Sequence, residues 1–209
     1  MLFLLACAGS PDDSTSPDTD ADTDTDTDTD TDTDTDADTD TAAGDGHVSV
    51  AMDTSLGSLV LDIDGVAAPV TAANFLQYVD GGFFDGADGF GETVFHRVVP
   101  DFVIQGGGYT ADGAEKTTHP AIELEETGLS NLRGTLAMAR TNRPDSATSQ
   151  FYVNLVDNTF LDSTGNNDGY AVFGTVTVGM DVVDAIAAVP VDGADKPLDD
   201  VLITRCVRE

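Results

Sequence analysis

From residue 47 onward the chain is a succession of short apolar–polar alternations, the period-2 pattern of half-buried strands. His47-Val-Ser-Val-Ala-Met-Asp53 alternates, Leu56-Gly57 marks a turn, and Ser58-Leu-Val-Leu-Asp-Ile63 alternates again, which predicts an opening hairpin. Further strands are predicted at 93–99, 102–105, 135–139, 150–155, 171–178 and 201–207. Two stretches carry helical spacing instead. In 68–79, Pro69 stands near the start and Phe75, Leu76 and Val79 share a face, with Gly81-Gly82 as the stop. In 179–189, Met180, Val183 and Ile186 share a face. Many short strands with only two helices point to an all-β barrel or sandwich over residues 47–209.

Before residue 47 the alternation has a different meaning. Residues 18–41 are nearly pure Thr-Asp, broken only by Ala21 and Ala37, so neither face of a strand would have anything apolar to bury. Like charges at every second position repel and extend the chain, and 7–46 is expected to be a disordered acidic linker. No Gly follows the Asp-x-Asp pattern and no Glu closes a twelve-residue loop, so an EF-hand calcium site is not supported. Of the 39 acidic residues 15 lie before residue 47, whereas all eight Lys and Arg residues lie from Arg97 onward. Both parts are therefore acidic, with a total formal charge of −31, which excludes nucleic acid and bare anionic membrane surfaces as partners. The same charge opposes self-association and predicts a monomer.

The first residues are a short apolar run ending in Leu4-Leu5-Ala6-Cys7, which resembles the bacterial lipoprotein processing box, where the cysteine is acylated and becomes the mature N-terminus. Five apolar residues are fewer than the roughly 7–15 of a signal core, and no Lys or Arg precedes them. The expectation is that residues 1–6 are part of a longer signal segment and that Cys7 carries lipid. The protein would then sit in a bacterial cell envelope, membrane-anchored or periplasmic, with a linker of about 40 residues spanning roughly 35 Å as a coil. No apolar run is long enough to be a transmembrane helix. The second cysteine, Cys206, lies in the last predicted strand and reads as a small strand residue, not a reactive thiol.

Two strand-like runs contain polar residues that packing alone does not require: Phe95-His-Arg-Val-Val-Pro-Asp-Phe-Val-Ile-Gln-Gly-Gly107 and Ser149-Gln-Phe-Tyr-Val-Asn-Leu155. Arg97, Gln105 and Gln150 stand among Phe95, Phe102, Phe151 and Tyr152. A guanidinium and two amides beside aromatic rings suit a peptide carbonyl next to a compact apolar ring, which is what a prolyl peptide bond presents. Phe102, Tyr152, Phe160 and Leu161 are candidates for a cup around such a ring, while Phe95 and Phe151 are expected in the core. There is no nucleophile-elbow setting, and His47, His96 and His119 lack metal-ligand spacing, so neither metal nor cofactor is expected. His96 reads as a hydrogen-bonded structural residue beside Arg97.

These runs, together with Gly134-Thr-Leu-Ala-Met-Ala-Arg140, Asp145-Ser-Ala-Thr-Ser-Gln-Phe-Tyr152, Phe160-Leu-Asp162 and Gly169-Tyr-Ala-Val-Phe-Gly174, resemble the cyclophilin-type peptidyl-prolyl isomerases in order and spacing, and the bacterial, periplasmic-type branch in wording. The resemblance implies a closed eight-stranded antiparallel barrel capped by two helices, acting on proline-containing polypeptides. It implies Arg97 as the catalytic arginine, Phe102 as the pocket floor and Gln105 as a substrate-binding glutamine. Ala139 and Gln150 fall in the substrate groove, and Leu161 on the pocket wall. Val103, Arg140, Tyr152, Phe160 and Tyr170 fall on substrate-binding positions where the chain departs from eukaryotic members, which often carry methionine, asparagine, phenylalanine, tryptophan and histidine there. A non-catalytic binding module on the same fold, a surface holdase or adhesin, is the competing expectation.

Overall fold

Alternation places successive side chains of a strand on opposite faces, and here both faces of the central strands are apolar. The computed structural model describes residues 46–209. The expected signal segment, Cys7 and the Thr-Asp run lie outside the described residues. In chain order the elements are β1 (His47–Thr54), β2 (Gly57–Asp64), α1 (Pro69–Asp80), β3 (Asp85–Gly86), β4 (Gly91–Glu92), β5 (Arg97–Val99), β6 (Val103–Gly106), β7 (Thr135–Met138), β8 (Phe151–Asn154), a 3-10 turn (Thr159–Leu161), β9 (Val172–Val178), α2 (Met180–Ala187) and β10 (Ile203–Arg208). Eight strands join in one antiparallel sheet in the order β10-β1-β2-β9-β7-β8-β6-β5, while β3 and β4 form a separate two-stranded ladder.

The sheet is a curled half-barrel, not the closed barrel expected from the sequence. Its end strands β5 and β10 do not pair along their length. A single bridge, Val94 to Leu202, spans the seam, with N–H bonds from Phe95 to the Val201 carbonyl and from Ile203 to the Thr93 carbonyl. The physical reason lies at β5, which is only three residues long. The N–H of Val98 on its outer edge bonds the carbonyl of Asp195, in the loop between α2 and β10, so a loop occupies the place a strand would need. The strand predicted over 93–99 is correspondingly too long at its start.

The inner face is set by register. Val98, Ile104, Val153 and Leu136 are aligned across β5, β6, β8 and β7, and each is at most 1% exposed. Helix α1 lays Phe75 against this face, its ring within 5.1–5.5 Å of those of Phe84, Phe151 and Phe173. Phe95 and Phe151 are in this core, as expected. The helix has no side-chain cap of its own. Glu125 supplies one from a distant loop, accepting the N–H groups of Val70 and Thr71 and the Thr71 hydroxyl. Cys206 is free and buried in β10, where burial and the nearby Asp85 carboxylate push its thiol well up, so it is inert at neutral pH.

A buried lysine fixes the segment between α1 and β5. Lys116 Nζ donates to the carbonyls of Phe83 (2.6 Å) and Gly91 (2.8 Å) and pairs with the Asp88 carboxylate at 2.8–2.9 Å, so all three of its protons are used. Lys116→Met is expected to lower stability by about 3 kcal/mol, because it leaves a part-buried carboxylate and two carbonyls without their donor. Denaturant unfolding checks this, and an unchanged midpoint would contradict it.

Candidate active site

The outer face carries a second aligned row. Arg97 on β5 is paired with Gln105 on β6, Gln105 with Tyr152 on β8, Tyr152 with Ala137 on β7, and Ala137 with Val172 on β9. Directly paired residues point to the same side, so one register places a cation, an amide and an aromatic ring side by side. Val103, Ala137, Tyr152 and Val172 form a small buried cluster on this face, with Phe102, Ala139, Leu161 and Tyr170 packed around it. The β5–β6 turn brings in Phe102: Pro100 and Asp101 occupy its corners, Asp101 has φ +59°, and the Phe102 N–H bonds the Val99 carbonyl. Nine of the eleven residues expected at the site line one concavity of about 210 Å³, and only Gln150 and Phe160 do not.

Those two act from the sides. Gln150 accepts a hydrogen bond at 3.0 Å from the Gln105 side-chain amide, which restrains the orientation of Gln105. The glycine run after Gln105 makes this possible. A Cβ on Gly108 would lie 2.6–2.7 Å from the Gln150 side chain, and one on Gly107, at φ +81°, would lie 2.8 Å from the Phe84 ring and 3.0 Å from that of Phe151. Phe160 is 67% exposed and stacks on Phe102 at 5.9 Å, extending the apolar rim. Arg97 is half-exposed, and its Nε lies 3.8 Å from the Asp195 carboxylate. His96 was expected to be a hydrogen-bonded structural residue, and the Val94 backbone and the Gln150 side chain are its hydrogen-bond partners. Its ring packs edge-on to Tyr109, Nδ1 is buried without a hydrogen-bond partner among the described residues, and burial, against the bonds to Val94 and Gln150 and with the Arg97 charge, pushes its pKa down. Among the described residues no cluster of three or more His, Cys, Asp or Glu side chains is placed to hold a metal ion.

A concave, permanently charged, apolar-walled site without a nucleophile fits a reaction that makes no covalent intermediate. Residues 48–208 match the family model described as cyclophilin type peptidyl-prolyl cis-trans isomerase/CLD. The chain belongs to this family. It is a peptidyl-prolyl cis-trans isomerase. Over 142 residues it is 51% identical to a peptidyl-prolyl cis-trans isomerase of Acinetobacter baylyi, covering 68% of this chain and 72% of that one. It is 44% identical over 162 residues to peptidyl-prolyl cis-trans isomerase B of Escherichia coli, covering 74% and 95%. A crystal structure of a Cryptosporidium parvum cyclophilin type isomerase superposes with a TM-score of 0.64 at 24% identity, covering 78% of this chain and 98% of that one.

Within this cyclophilin site, two departures from the eukaryotic pattern find their physical setting. Arg140 does not reach freely into the groove. Its Nε and Nη2 donate to the Gly169 carbonyl at 3.0 and 2.7 Å, Nη1 donates to Thr141, and the guanidinium lies 4.5 Å from the Tyr170 ring centre. Arg140 therefore braces Tyr170, whose ring packs edge-on to Tyr152. The Tyr152 hydroxyl points away from the cavity and donates to Asn131 Oδ1 at 2.8 Å; burial holds its pKa far above the ordinary value, so it stays neutral.

Asn131 is the hub of a buried amide network that the sequence did not reveal. It also accepts from Asn154, and its own backbone and side-chain N–H groups bond Asp162, while Asn158 ties Asn154 to the Phe102 carbonyl. Desolvation pushes the Asp162 carboxyl up, but bonds from Ser130 and Asn131 more than offset it and leave the carboxyl below its ordinary value. A spaced Asn154…Asn158 pair was the one available signal, and it carries no chemistry by itself. Tyr152→Phe is expected to cost about 1 kcal/mol of stability, since Asn131 loses its best donor, with little change in KM for a proline peptide. Urea unfolding and steady-state kinetics check both halves; a large KM change with unaltered stability would contradict the assignment.

Proposed function

We propose that Arg97, Gln105 and Phe102 carry the isomerisation, on a proline held between Phe102, Tyr152 and Leu161. The observation supporting this reading is the cross-strand row that sets Arg97 and Gln105 beside Tyr152 on the rim of a cavity walled by apolar residues. Rotation about the prolyl bond faces a barrier of about 18–20 kcal/mol because amide resonance must be broken. A donor that draws the nitrogen lone pair out of conjugation lowers it, and so do groups that hold the rotating carbonyl. Arg97 is always charged and presents a planar fork of donors. Gln105, oriented by Gln150, would hold substrate backbone, and Ala139 lines the same cavity, its N–H bonded to the Gln150 carbonyl. Val103 and Tyr170 complete the walls. The reading agrees with the Cryptosporidium parvum isomerase whose crystal structure was obtained in the presence of the dipeptide Ala-Pro.

A larger concavity of about 620 Å³ beside Phe90 and Lys116 is a weaker candidate, because its one cation is fully occupied by Phe83, Asp88 and Gly91. Arg97→Ala is expected to lower kcat/KM about 100- to 1,000-fold in a proline-peptide assay. The wild-type rate should be flat from about pH 7 to 9: His96 has its pKa lowered by burial and is neutral throughout, while Arg97 keeps its charge. A rate limb in that range would indicate proton transfer instead.

We also propose that the isomerase is a monomer of the bacterial cell envelope, tethered by lipid on Cys7 with residues 7–46 as spacer. The Leu4-Leu5-Ala6-Cys7 sequence supports this. Expressed with its native upstream sequence and fed a fatty-acid analogue, the wild type should be labelled and Cys7→Ser should not. Absence of label from the wild type would sink the tether.

A further inference from the structure

We infer that Asp195 is a positioning residue for Arg97, engaging the guanidinium at Nε so that its terminal nitrogens face the substrate. The inference rests on the reading of Arg97 as the catalytic donor. Asp195 is one of only two described non-glycine residues with positive φ, at +63°, a conformation that costs an L-residue of this kind of order 1 kcal/mol. The other, Asp101, sits in the turn that follows β5. The loop that imposes it is closely specified. Val191 bridges Pro197, the Asp192 carboxylate accepts the N–H groups of Ala194 and Lys196, and the Asp195 N–H bonds the Asp192 carbonyl. Gly193 lies in the same loop, yet the left-handed position goes to an aspartate. From there the residue meets β5 at two points. Its carbonyl accepts the Val98 N–H at 2.8 Å, and its carboxylate lies 3.8 Å from Arg97 Nε.

Stability does not account for the carboxylate. Both partners are about two-fifths exposed, with side chains 39% and 45% accessible, and exposed pairs of this kind contribute little to folding. Orientation does account for it. A free arginine side chain samples many rotamers, and only those that keep the fork over the cavity serve a prolyl nitrogen. Among the described residues the Arg97 Nη1 and Nη2 groups make no hydrogen bond, so Asp195 supplies the side-chain restraint that is present. The carboxylate also has an opposing effect, since it partly offsets the guanidinium field. The sign of the mutant effect separates the two: lost positioning slows the reaction, whereas relief of the opposing field speeds it.

The test is Asp195→Asn in the full chain, alone and combined with Arg97→Ala. Asparagine is among the residues best tolerated in the left-handed region, so the loop and its bond to Val98 stay and only the charge is removed. The expected result is a loss of about fivefold in kcat/KM with an unchanged melting temperature. The loss should shrink as salt screens the wild-type pair, and it should vanish in the Arg97→Ala background. An Asp195→Asn enzyme as fast as the wild type or faster overturns the inference while leaving the role of Arg97 intact. So does an equal loss in both backgrounds, which would mark a loop effect. If Arg97→Ala itself retains full activity, the reading of Arg97 fails and this inference falls with it.

Discussion

The register of β5 on β6 and of β6 on β8 is the constraint on which the rest of the molecule depends. One alignment places Val98, Ile104, Val153 and Leu136 inward and Arg97, Gln105, Tyr152 and Ala137 outward. A slip of one residue would put a guanidinium into the core and Ile104 on the groove, so core packing and site geometry are enforced together. The inner row is locked by Phe75 and its aromatic neighbours, and the site inherits that rigidity without needing a rigid loop of its own.

Around the row, polar groups do the local positioning, and each is held from behind. Gln150 holds Gln105, Arg140 holds Tyr170, Asn131 takes the Tyr152 hydroxyl away from the cavity, and Asp162 holds Asn131. The Tyr152 hydroxyl is thereby taken up by Asn131, and the Tyr152 ring packs edge-on to that of Tyr170 on the cavity wall. A proline ring gains from apolar contact and has no donor to offer a hydroxyl, so turning the Tyr152 hydroxyl away from the cavity suits the pocket proposed for it. Of the two guanidiniums on the cavity, that of Arg140 is engaged by Gly169 and Tyr170, while the terminal nitrogens of Arg97 make no hydrogen bond among the described residues.

Much of this was legible in the chain. The strand patterns located the eight strands of the main sheet but not the short β3–β4 ladder, and helical spacing located α1 and α2 to within about two residues at each end. Arg97, Gln105 and Gln150 stood out because strands do not need them. Closure of the sheet was misjudged, because β5 ends up beside a loop whose grip depends on the backbone of Asp195, and no side-chain pattern announces a main-chain bond. The bond between Gln105 and Gln150 was not legible, because spacing reveals a side chain's chemistry but not which partner it reaches first. The amide network around Asn131 joins residues more than twenty positions apart, and a lone asparagine has no periodic signature.

The most direct test is a structure of the protein bound to a short peptide containing Ala-Pro. The account predicts the proline ring among Phe102, Tyr152 and Leu161, with the Arg97 guanidinium within hydrogen-bonding distance of the prolyl group and Gln105 on the adjoining backbone. A peptide seated instead in the concavity beside Phe90 and Lys116, or one bound in the expected pocket with Arg97 turned away, would contradict it.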